Sequence, residues 1–338
     1  MIDSTSTSSP FATTLNFSEF GEHAKIIEGL PYFAPQPHSL WDEVKLMVCV
    51  IREATRTNVL LLDGSNGRLY PDVLACMVIG FMPRSRRPAI ALWGEMWQPN
   101  HSMRGMIERI IVKLSDRAIN RYFVLTSDEM TRFPQQWGLD ATKTRLLPYF
   151  SSFSEKDLAE PVESLVQHIF AGGNAHRDYR PLVEAARQLP HLKFVLATRL
   201  LDQVVDAPPN VTARPMSHQE FVHCMRTAAA VVVPLQQNLV RSAGQQTFLN
   251  AMYLKKPTIV SNALGVGDYI THCKDGMIVD GTSQGYVQAL QWVFDANNAT
   301  DVANMRSAAH HTVANRFTVR HYAARVVELM RELADEKR

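Results

Sequence analysis

The sequence predicts an α/β protein with two domains, each built on a doubly wound parallel sheet. Its 338 residues are enough for two domains of ordinary size. Short apolar runs typical of strands alternate with amphipathic helical segments through both halves of the chain. A polar stretch at 151–163 separates the two series and is predicted to be a linker. A content of 46% apolar and 20% charged residues is typical of a folded globular protein.

The first series occupies 1–150, which we predict to be the N-terminal domain. Its helices are predicted at 39–55, 71–81 and 102–119, and its strands at 58–63, 88–93, 121–126 and 144–148. Ser127 is predicted to cap the helix that follows the third of these strands. Before residue 39 the only candidate strand is 24–30. The Ser/Thr-rich segment 1–14 is predicted to be a loose tail.

The second series occupies 164–318 and is followed by a C-terminal helix at 319–338. Ser217, with Glu220 three residues later, predicts a capping box at the start of one of its helices. Strands are predicted at 165–171, 193–197, 210–212, 229–235, 258–260 and 277–280. Helices are predicted at 179–189, 217–227, 245–254, 283–297, 302–316 and 319–337.

The stretch 241–261 is the centre of the second series. A strand ends, Ser242, Ala243 and Gly244 form a turn, and a helix begins at Gln245. Unpaired backbone N–H groups and the helix dipole make such a point an anion site at the carboxyl end of a strand. The same pattern is also typical of an ordinary βαβ unit whose turn requires a glycine, and the residues alone leave both interpretations open.

Composition and motifs exclude several other classes of protein. A formal net charge of +2 gives no reason to predict binding to nucleic acid. The histidines and cysteines lack HExxH and CxxC spacing, so no metal site is predicted. The longest apolar run, 73–82, is too short to span a membrane. No GxGxxG follows the first strand, which argues against a dinucleotide-dependent oxidoreductase.

Five stretches in order within 165–300 resemble the donor-binding domain of the group 1 glycosyltransferases (glycosyltransferase family 4). They are 170–179 with Leu182–Ala185, 194–197, 232–235, 242–260 and 273–279. The first half resembles the family only in its α/β pattern and in the step Thr126–Glu129. The resemblance implies the GT-B fold, with two Rossmann-like domains facing a central cleft and a helical C-terminus.

The resemblance also implies how a donor would be held. Two family glutamates, one near the donor sugar and one on the ribose, correspond here to Ser242 and Asn250. An amide can still bond a ribose because it both donates and accepts, whereas the shorter Ser242 could reach only a close hydroxyl or a water. Because both carboxylates are missing, the identity of the donor is open.

Arg177 is the residue that the resemblance places on the donor pyrophosphate, which suits the bidentate geometry of a guanidinium. The alternative is a surface arginine paired with Asp178. Gly172–Gly173 could likewise be only a tight turn, and the loop 211–216 only a connection rather than the wall behind the base. The predicted donor-binding set is Gly172, Gly173, Arg177, Arg199, Arg214, Pro215, Met216, Ser242, Ala243, Gly244, Gln245, Gln246 and Asn250.

On the acceptor side, Glu95 follows a strand of the first domain and is flanked by aromatic residues, and His101 is a comparable candidate facing the cleft. Together with Arg177 they are the predicted catalytic residues, although Glu95 could instead be a helix-cap charge.

The predicted function is therefore that of a glycosyltransferase. The expected co-substrate is a UDP- or GDP-type nucleotide sugar, with no cofactor and no metal, and the resemblance implies a retaining reaction. The expected acceptor is a glycan or lipid-linked molecule in cell-surface polysaccharide or glycolipid assembly, at a cytoplasmic location. The alternative is a GT-B scaffold or nucleotide-binding protein with reduced chemistry.

The segment 103–121 suggests a further partner. Met103, Met106, Ile107, Ile110, Ile111, Leu114 and Ala118 form one apolar stripe with basic residues along its flank. One interpretation is peripheral contact with an anionic membrane on its inner face. The other is a core helix with a solvated basic edge.

Overall fold

The computed structural model describes residues 11–15, 17–27, 39–64, 69–93, 102–159 and 168–337. The chain forms two compact units. The first runs to Leu147 and includes the segment from Tyr322 onward, and the second is Pro148–His321.

The first unit contains a parallel sheet in the order β2-β1-β3-β4-β5-β6, with six strands among the described residues. All residues of β3 and β4 are buried, as expected for central strands of a sheet that is covered on both faces. The strands are β1 (Phe11–Thr13), β2 (Ala24–Ile26), β3 (Val59–Asp63), β4 (Ala89–Trp93), β5 (Ile119–Val124) and β6 (Thr144–Leu146). The helices are α1 (Leu40–Glu53), α2 (Pro71–Ile79), α3 (Met103–Ser115) and α4 (Ser127–Trp137).

Three details of the first unit differ from the sequence-based prediction. Residues 11–13, assigned to a loose tail, form the buried strand β1, in which Ala12 lies opposite Leu60 of β3. In the described part of the candidate strand 24–30, which ends at Ile27, the strand covers the three residues of β2. Thr126 rather than Ser127 caps α4, because its hydroxyl accepts the N–H of Glu129.

The second unit contains a parallel sheet in the order β12-β11-β10-β7-β8-β9, again with six strands among the described residues. The predicted capping box is confirmed, with reciprocal hydrogen bonds between Ser217 and Glu220. The strands are β7 (Ile169–Gly172), β8 (Phe194–Ala197), β9 (Val211–Arg214), β10 (Ala230–Val233), β11 (Thr258–Ser261) and β12 (Met277–Val279). The helices are α5 (Glu155–Ala159), α6 (Arg180–Gln188), α7 (His218–Thr227), α8 (Gln245–Tyr253), α9 (Ser283–Phe294) and α10 (Ala299–Arg316).

The order of the second sheet creates a topological switch point between β7 and β10. The chain runs from β7 through β8 to β9 in one direction and then returns to β10 on the opposite side of β7. The neighbouring strands are parallel, so their carboxyl ends lie along one edge. Open α/β sheets bind ligands outside the carboxyl ends of the strands at such a point.

The last helix, α11 (Val319–Lys337), joins the first unit from Tyr322 onward. The ring of Tyr322 contacts Phe17 and Trp93, and Glu336 forms an ion pair with Arg121. The described part of the predicted linker belongs to the second unit, where the Ser151 N–H donates to the Phe317 carbonyl at 2.7 Å. The second unit is thus inserted between two segments of the first.

Candidate functional site

The turn after β7 requires its two glycines. Gly173 has φ +118°, a region that L side chains rarely adopt, and a Cβ there would lie 2.9 Å from Nη2 of Arg177. A Cβ on Gly172 would lie 2.3 Å from the ring of Phe221. The Tyr179 hydroxyl donates to the Gly173 carbonyl at 2.7 Å and holds the turn in place. Because Gly173 has no side chain, the backbone of this turn can pack directly against the Arg177 guanidinium.

A second glycine turn precedes α8. Gly244 is the N-cap residue, with φ +84°, and a Cβ there would lie 2.9 Å from Leu235 and 3.4 Å from Nη1 of Arg177. The Thr247 N–H donates to the Gly244 carbonyl. The backbone N–H groups of Gln245 and Gln246 have no hydrogen-bond acceptor among the described residues. The start of α8 therefore presents unpaired N–H groups with a partial positive charge.

Arg177 is only 4% exposed, yet its guanidinium contacts neutral groups. Nε donates to the Gly172 carbonyl at 3.3 Å, Nη1 to the Ala175 carbonyl at 2.9 Å, and Nη2 to the Thr247 hydroxyl at 3.1 Å. A guanidinium has five N–H groups, so two remain for a ligand.

The counter-ion expected under the alternative interpretation is engaged elsewhere. Asp178 binds Arg180, with 2.8 Å between Oδ1 and Nε, so the pairing of Arg177 with Asp178 at the surface is wrong. Burial lowers the pKa of Arg177, and the neighbouring Tyr179 and Tyr286 oppose that shift. A buried cation without a carboxylate partner among the described residues is a group that an anion would stabilise.

The two turns meet at the switch point of the second sheet. Arg177 forms a backbone bridge with Leu235, just beyond β10. The adjacent Asp178 N–H donates to the Pro234 carbonyl at 2.9 Å. The chain after β7 is thereby fastened to the chain after β10, which brings Arg177, both glycine turns and the start of α8 together.

The remaining arginines of the predicted set lie along the same edge. Gly172 is paired with Ala197 of β8, and Ala197 with Arg214 of β9. The Asn174 amide oxygen accepts the Arg199 N–H at 2.7 Å, which links the turn after β7 to the turn after β8. Arg199, Arg214 and Pro215 are exposed and Met216 is half-buried.

The Arg214 side chain is already paired. Its Nη2 lies 2.9 Å from a carboxylate oxygen of Glu220. The Ser217 backbone N–H, and then this arginine, lower the pKa of Glu220 to about 2. In this arrangement the guanidinium of Arg214 is directed to the start of α7.

Asn250 is buried and holds residues that were predicted to be linker. Its Oδ1 accepts from the Ser151 hydroxyl at 2.8 Å and from the Ser152 N–H at 2.9 Å, and its Nδ2 donates to the Ser152 hydroxyl at 3.0 Å. The predicted bond from Asn250 to a ribose stays a prediction. Ser242, Ala243 and Gln245 are also buried, whereas Gln246 is exposed.

Two predicted catalytic residues cannot be placed. Glu95 and His101 lie outside the described residues, and the described chain stops at Trp93, the last residue of β4, before resuming at Ser102. Within the described ranges, no group of three His, Cys, Asp or Glu side chains could hold a metal ion.

The sequence did not single out two residues that build the site. Thr247 accepts a hydrogen bond from Arg177, and Asn174 bridges two loops of the carboxyl edge. The signal for Asn174 was its place directly after the glycine pair, where an Asx side chain commonly bonds backbone groups. Thr247 is the third residue of α8, and its partner Arg177 lies 70 positions earlier, so no local pattern indicates the contact.

Comparisons with known proteins agree with this geometry at the level of the fold. No protein-family model and no curated protein matches the sequence. A structure of HepE from Anabaena in complex with UDP matches with a TM-score of 0.67 and 14% identity, over 91% of this chain and 86% of that one. Sucrose-phosphate synthase from Thermosynechococcus elongatus matches with a TM-score of 0.67 and 13% identity, over 93% and 84%.

A glycosyltransferase from Rickettsia africae matches with a TM-score of 0.64 and 13% identity, over 95% of this chain and 89% of that one. The chain has the GT-B fold. At these identities the likeness concerns the fold, and the assignment to glycosyltransferase family 4 stays a prediction. Searched over its described residues, the protein contains no helix that is both long and apolar enough to cross a membrane.

Proposed function

We propose that this protein is a glycosyltransferase that binds a nucleotide sugar at the switch point of its second sheet. The observation that carries the proposal is the buried Arg177, which lies between two glycine turns and beside the start of α8. The structures of HepE in complex with UDP and with UDP-glucose support a nucleotide sugar as the ligand class.

The donor diphosphate would lie against Arg177 and the backbone N–H groups of Gln245 and Gln246. Gly173 and Gly244 leave space there, because neither has a side chain between the backbone and the anion. Negative charge grows on the diphosphate as the bond to the sugar breaks, and positioned N–H groups and a guanidinium stabilise that charge without a metal.

The rest of the donor would follow the carboxyl edge. The base would lie against the loop after β9, at Arg214, Pro215 and Met216, with the exposed Arg199 nearby. Ser242 and Asn250 would face the sugar and the ribose. We propose a UDP- or GDP-type donor and retention of anomeric configuration, in which the leaving phosphate takes the proton of the acceptor hydroxyl.

For the acceptor we propose a glycan or a lipid-linked molecule, bound by the first unit and used in cell-surface polysaccharide or glycolipid assembly on the cytoplasmic side. Glu95 and His101 are proposed to act on it, since they come after β4 in the chain and open α/β sheets bind ligands beyond the carboxyl ends of their strands.

A second candidate function is nucleotide binding with reduced chemistry. It is favoured by Asn250, whose amide is engaged by Ser151 and Ser152, and by the serine at 242 where a carboxylate would help to position a donor sugar. In this case the fold would serve as a nucleotide-responsive scaffold.

A melting screen against UDP, GDP and ADP, followed by incubation with the matching nucleotide sugars, tests both candidates. We expect one nucleoside diphosphate to raise Tm, because a ligand bound only by the folded state stabilises it. Mass spectrometry should then detect release of that diphosphate from the sugar donor. A shift in Tm without turnover would favour the scaffold, and no shift with any nucleotide would contradict both.

A further inference from the structure

Helix α3 turns its apolar side outward. The residues that it buries are Gly105, Glu108, Val112 and Ser115. The Ser115 hydroxyl donates to the Val73 carbonyl of α2 at 2.9 Å, so a polar contact fixes the inner side of the helix. Met103, Met106, Ile107 and Ile110, the first half of the predicted stripe, are all exposed. The interpretation of this stripe as a core face is therefore wrong for these four residues.

The neighbouring helices extend the same apolar surface. Helix α2 packs against both α1 and α3. Sixteen large hydrophobic residues are exposed in the described part of the chain, and ten of them, four on α1, two at the end of α2 and four on α3, belong to this layer. We call this set the outer face: Leu40, Trp41, Val44, Val48, Val78, Phe81, Met103, Met106, Ile107 and Ile110. An apolar concentration of this kind marks an interaction surface.

The charges around the outer face have one sign. Within 40–56, 71–87 and 103–117, the exposed charged residues are all basic: Lys45, Arg52, Arg56, Arg84, Arg86, Arg104, Lys113 and Arg117. The carboxylates of the same segments are buried or half-buried. Arg104 is paired with Glu108, and the Arg117 guanidinium lies over the exposed ring of Phe81, so cations and apolar groups are interleaved.

The basic end of this surface continues into a cavity of about 310 Å³ at the amino ends of β4 and β5. Arg84, Arg87, Arg117 and Lys337 line it, and its one carboxylate, Glu336, is bound by Arg121. The Arg87 guanidinium is fixed by the carbonyls of Gly80, Met82 and Arg117. This cavity is large enough for a phosphate-bearing headgroup.

We propose that the outer face binds an anionic phospholipid bilayer. Apolar side chains at the level of the headgroups together with basic residues are the combination that holds a protein on such a surface without a spanning helix. Trp41, which is 81% exposed, has the amphipathic ring that suits a membrane interface. A second copy of the chain fits less well, because two outer faces would bring exposed cations together with no exposed carboxylate on these segments.

The test is cosedimentation with vesicles of phosphatidylcholine alone or with phosphatidylglycerol, at low and high salt. We expect the protein to pellet with the anionic vesicles and to be partly released by salt. Ile107→Asp with Ile110→Asp should lower the bound fraction at least tenfold, since both side chains are more than half exposed, at 58% and 57%. Arg84→Glu with Arg86→Glu should also lower the fraction bound to anionic vesicles.

Matched controls separate this surface from general effects of charge. Val205 is 77% exposed in the second unit, so Val205→Asp should pellet like the unchanged protein. Lys274→Glu with Arg320→Glu changes two exposed basic residues of the second unit and should do the same. Tm of each variant, with and without UDP, checks the fold and the donor site separately, because the outer face lies in the other unit.

Three results would overturn the proposal. The first is recovery in the supernatant with both kinds of vesicle. The second is equal pelleting of the unchanged protein and the two outer-face variants. The third is a dimer in light scattering that Ile107→Asp with Ile110→Asp dissociates, which would assign the outer face to a second copy.

Discussion

Arg177 supplies the buried positive charge of the proposed donor site. Its guanidinium is buried among two carbonyls and the Thr247 hydroxyl, which orient it but do not neutralise its charge. A buried charge is costly unless a partner compensates it. Binding of an anion next to Arg177 would therefore stabilise the site.

Arg177→Met should weaken binding of the nucleoside diphosphate by tenfold or more. Hydrogen bonds to charged groups contribute about 1.5–3 kcal/mol, and the remaining N–H groups of the guanidinium would be lost. Isothermal titration calorimetry with the diphosphate found in the melting screen measures the change. Arg180→Met is the matched control, because Arg180 lies three residues away, is exposed and pairs with Asp178. Equal affinities for the two variants would remove Arg177 from the site.

Asn250 has a structural task besides its proposed contact with the ribose. Asn250→Leu should lower Tm by several degrees, because the Ser151 hydroxyl and the Ser152 N–H would lose their acceptor, and each buried unsatisfied group costs about 1–3 kcal/mol. Asn250→Asp keeps both acceptor bonds and should stay near the Tm of the unchanged protein. Thermal melting of both variants is the measurement, and an unchanged Tm for Asn250→Leu would show that these bonds contribute little.

Elements with strong local signals were predicted well, and elements fixed by distant contacts were not. The second-unit strands and the capping box at Ser217 follow from short patterns and were found close to their bounds. Strand β1 is three residues long and stable only because β2 and β3 flank it, so nothing local distinguishes it from the preceding Ser/Thr-rich stretch. The apolar stripe of α3 was visible, but periodicity does not say which side of a helix meets the sheet.

The turn at the start of α8 leads to a prediction for the whole element. Gly244→Val should reduce nucleotide affinity strongly and also lower Tm, because the residue has φ +84° and the new side chain would meet Leu235 and Val233. Gly267→Ala is the control, since no atom lies within 4 Å of a Cβ placed there and its φ is not in the left-handed region. Calorimetric titration with the nucleotide and thermal melting of both variants are the measurements. Normal affinity in Gly244→Val would exclude an anion at this turn.

At the scale of the whole molecule, α11 comes last in the sequence but packs as part of the first unit. From Tyr322 onward it buries a row of side chains: Tyr322, Ala323, Val326, Val327, Leu329, Met330 and Leu333. At about 1.5–3 kcal/mol for each of the six large side chains, the loss of this row amounts to roughly 9–18 kcal/mol, which is as large as the total stability of a domain.

A chain ending at His321 should therefore keep a folded second unit and lose the first. Limited proteolysis with mass spectrometry should show cleavage across 11–147 and protection of 168–321, while nucleotide still raises the Tm of the remaining transition. A chain ending at Ala334 retains the whole apolar row and should resist the protease like the unchanged protein. Equal resistance of the two shortened chains would show that α11 is dispensable for the first unit.

The order of synthesis gives the insertion of the second unit a further consequence. The ribosome makes β1–β6 first, but it cannot release a complete first unit until 322–337 have emerged, at least 174 residues after Leu147. At about 5–20 residues per second, the surface that α11 covers stays exposed for roughly 9–35 s. The second unit is contiguous and can finish folding during that interval. Nascent chains of this protein therefore pass through an interval in which the half made first is the half that most needs a chaperone.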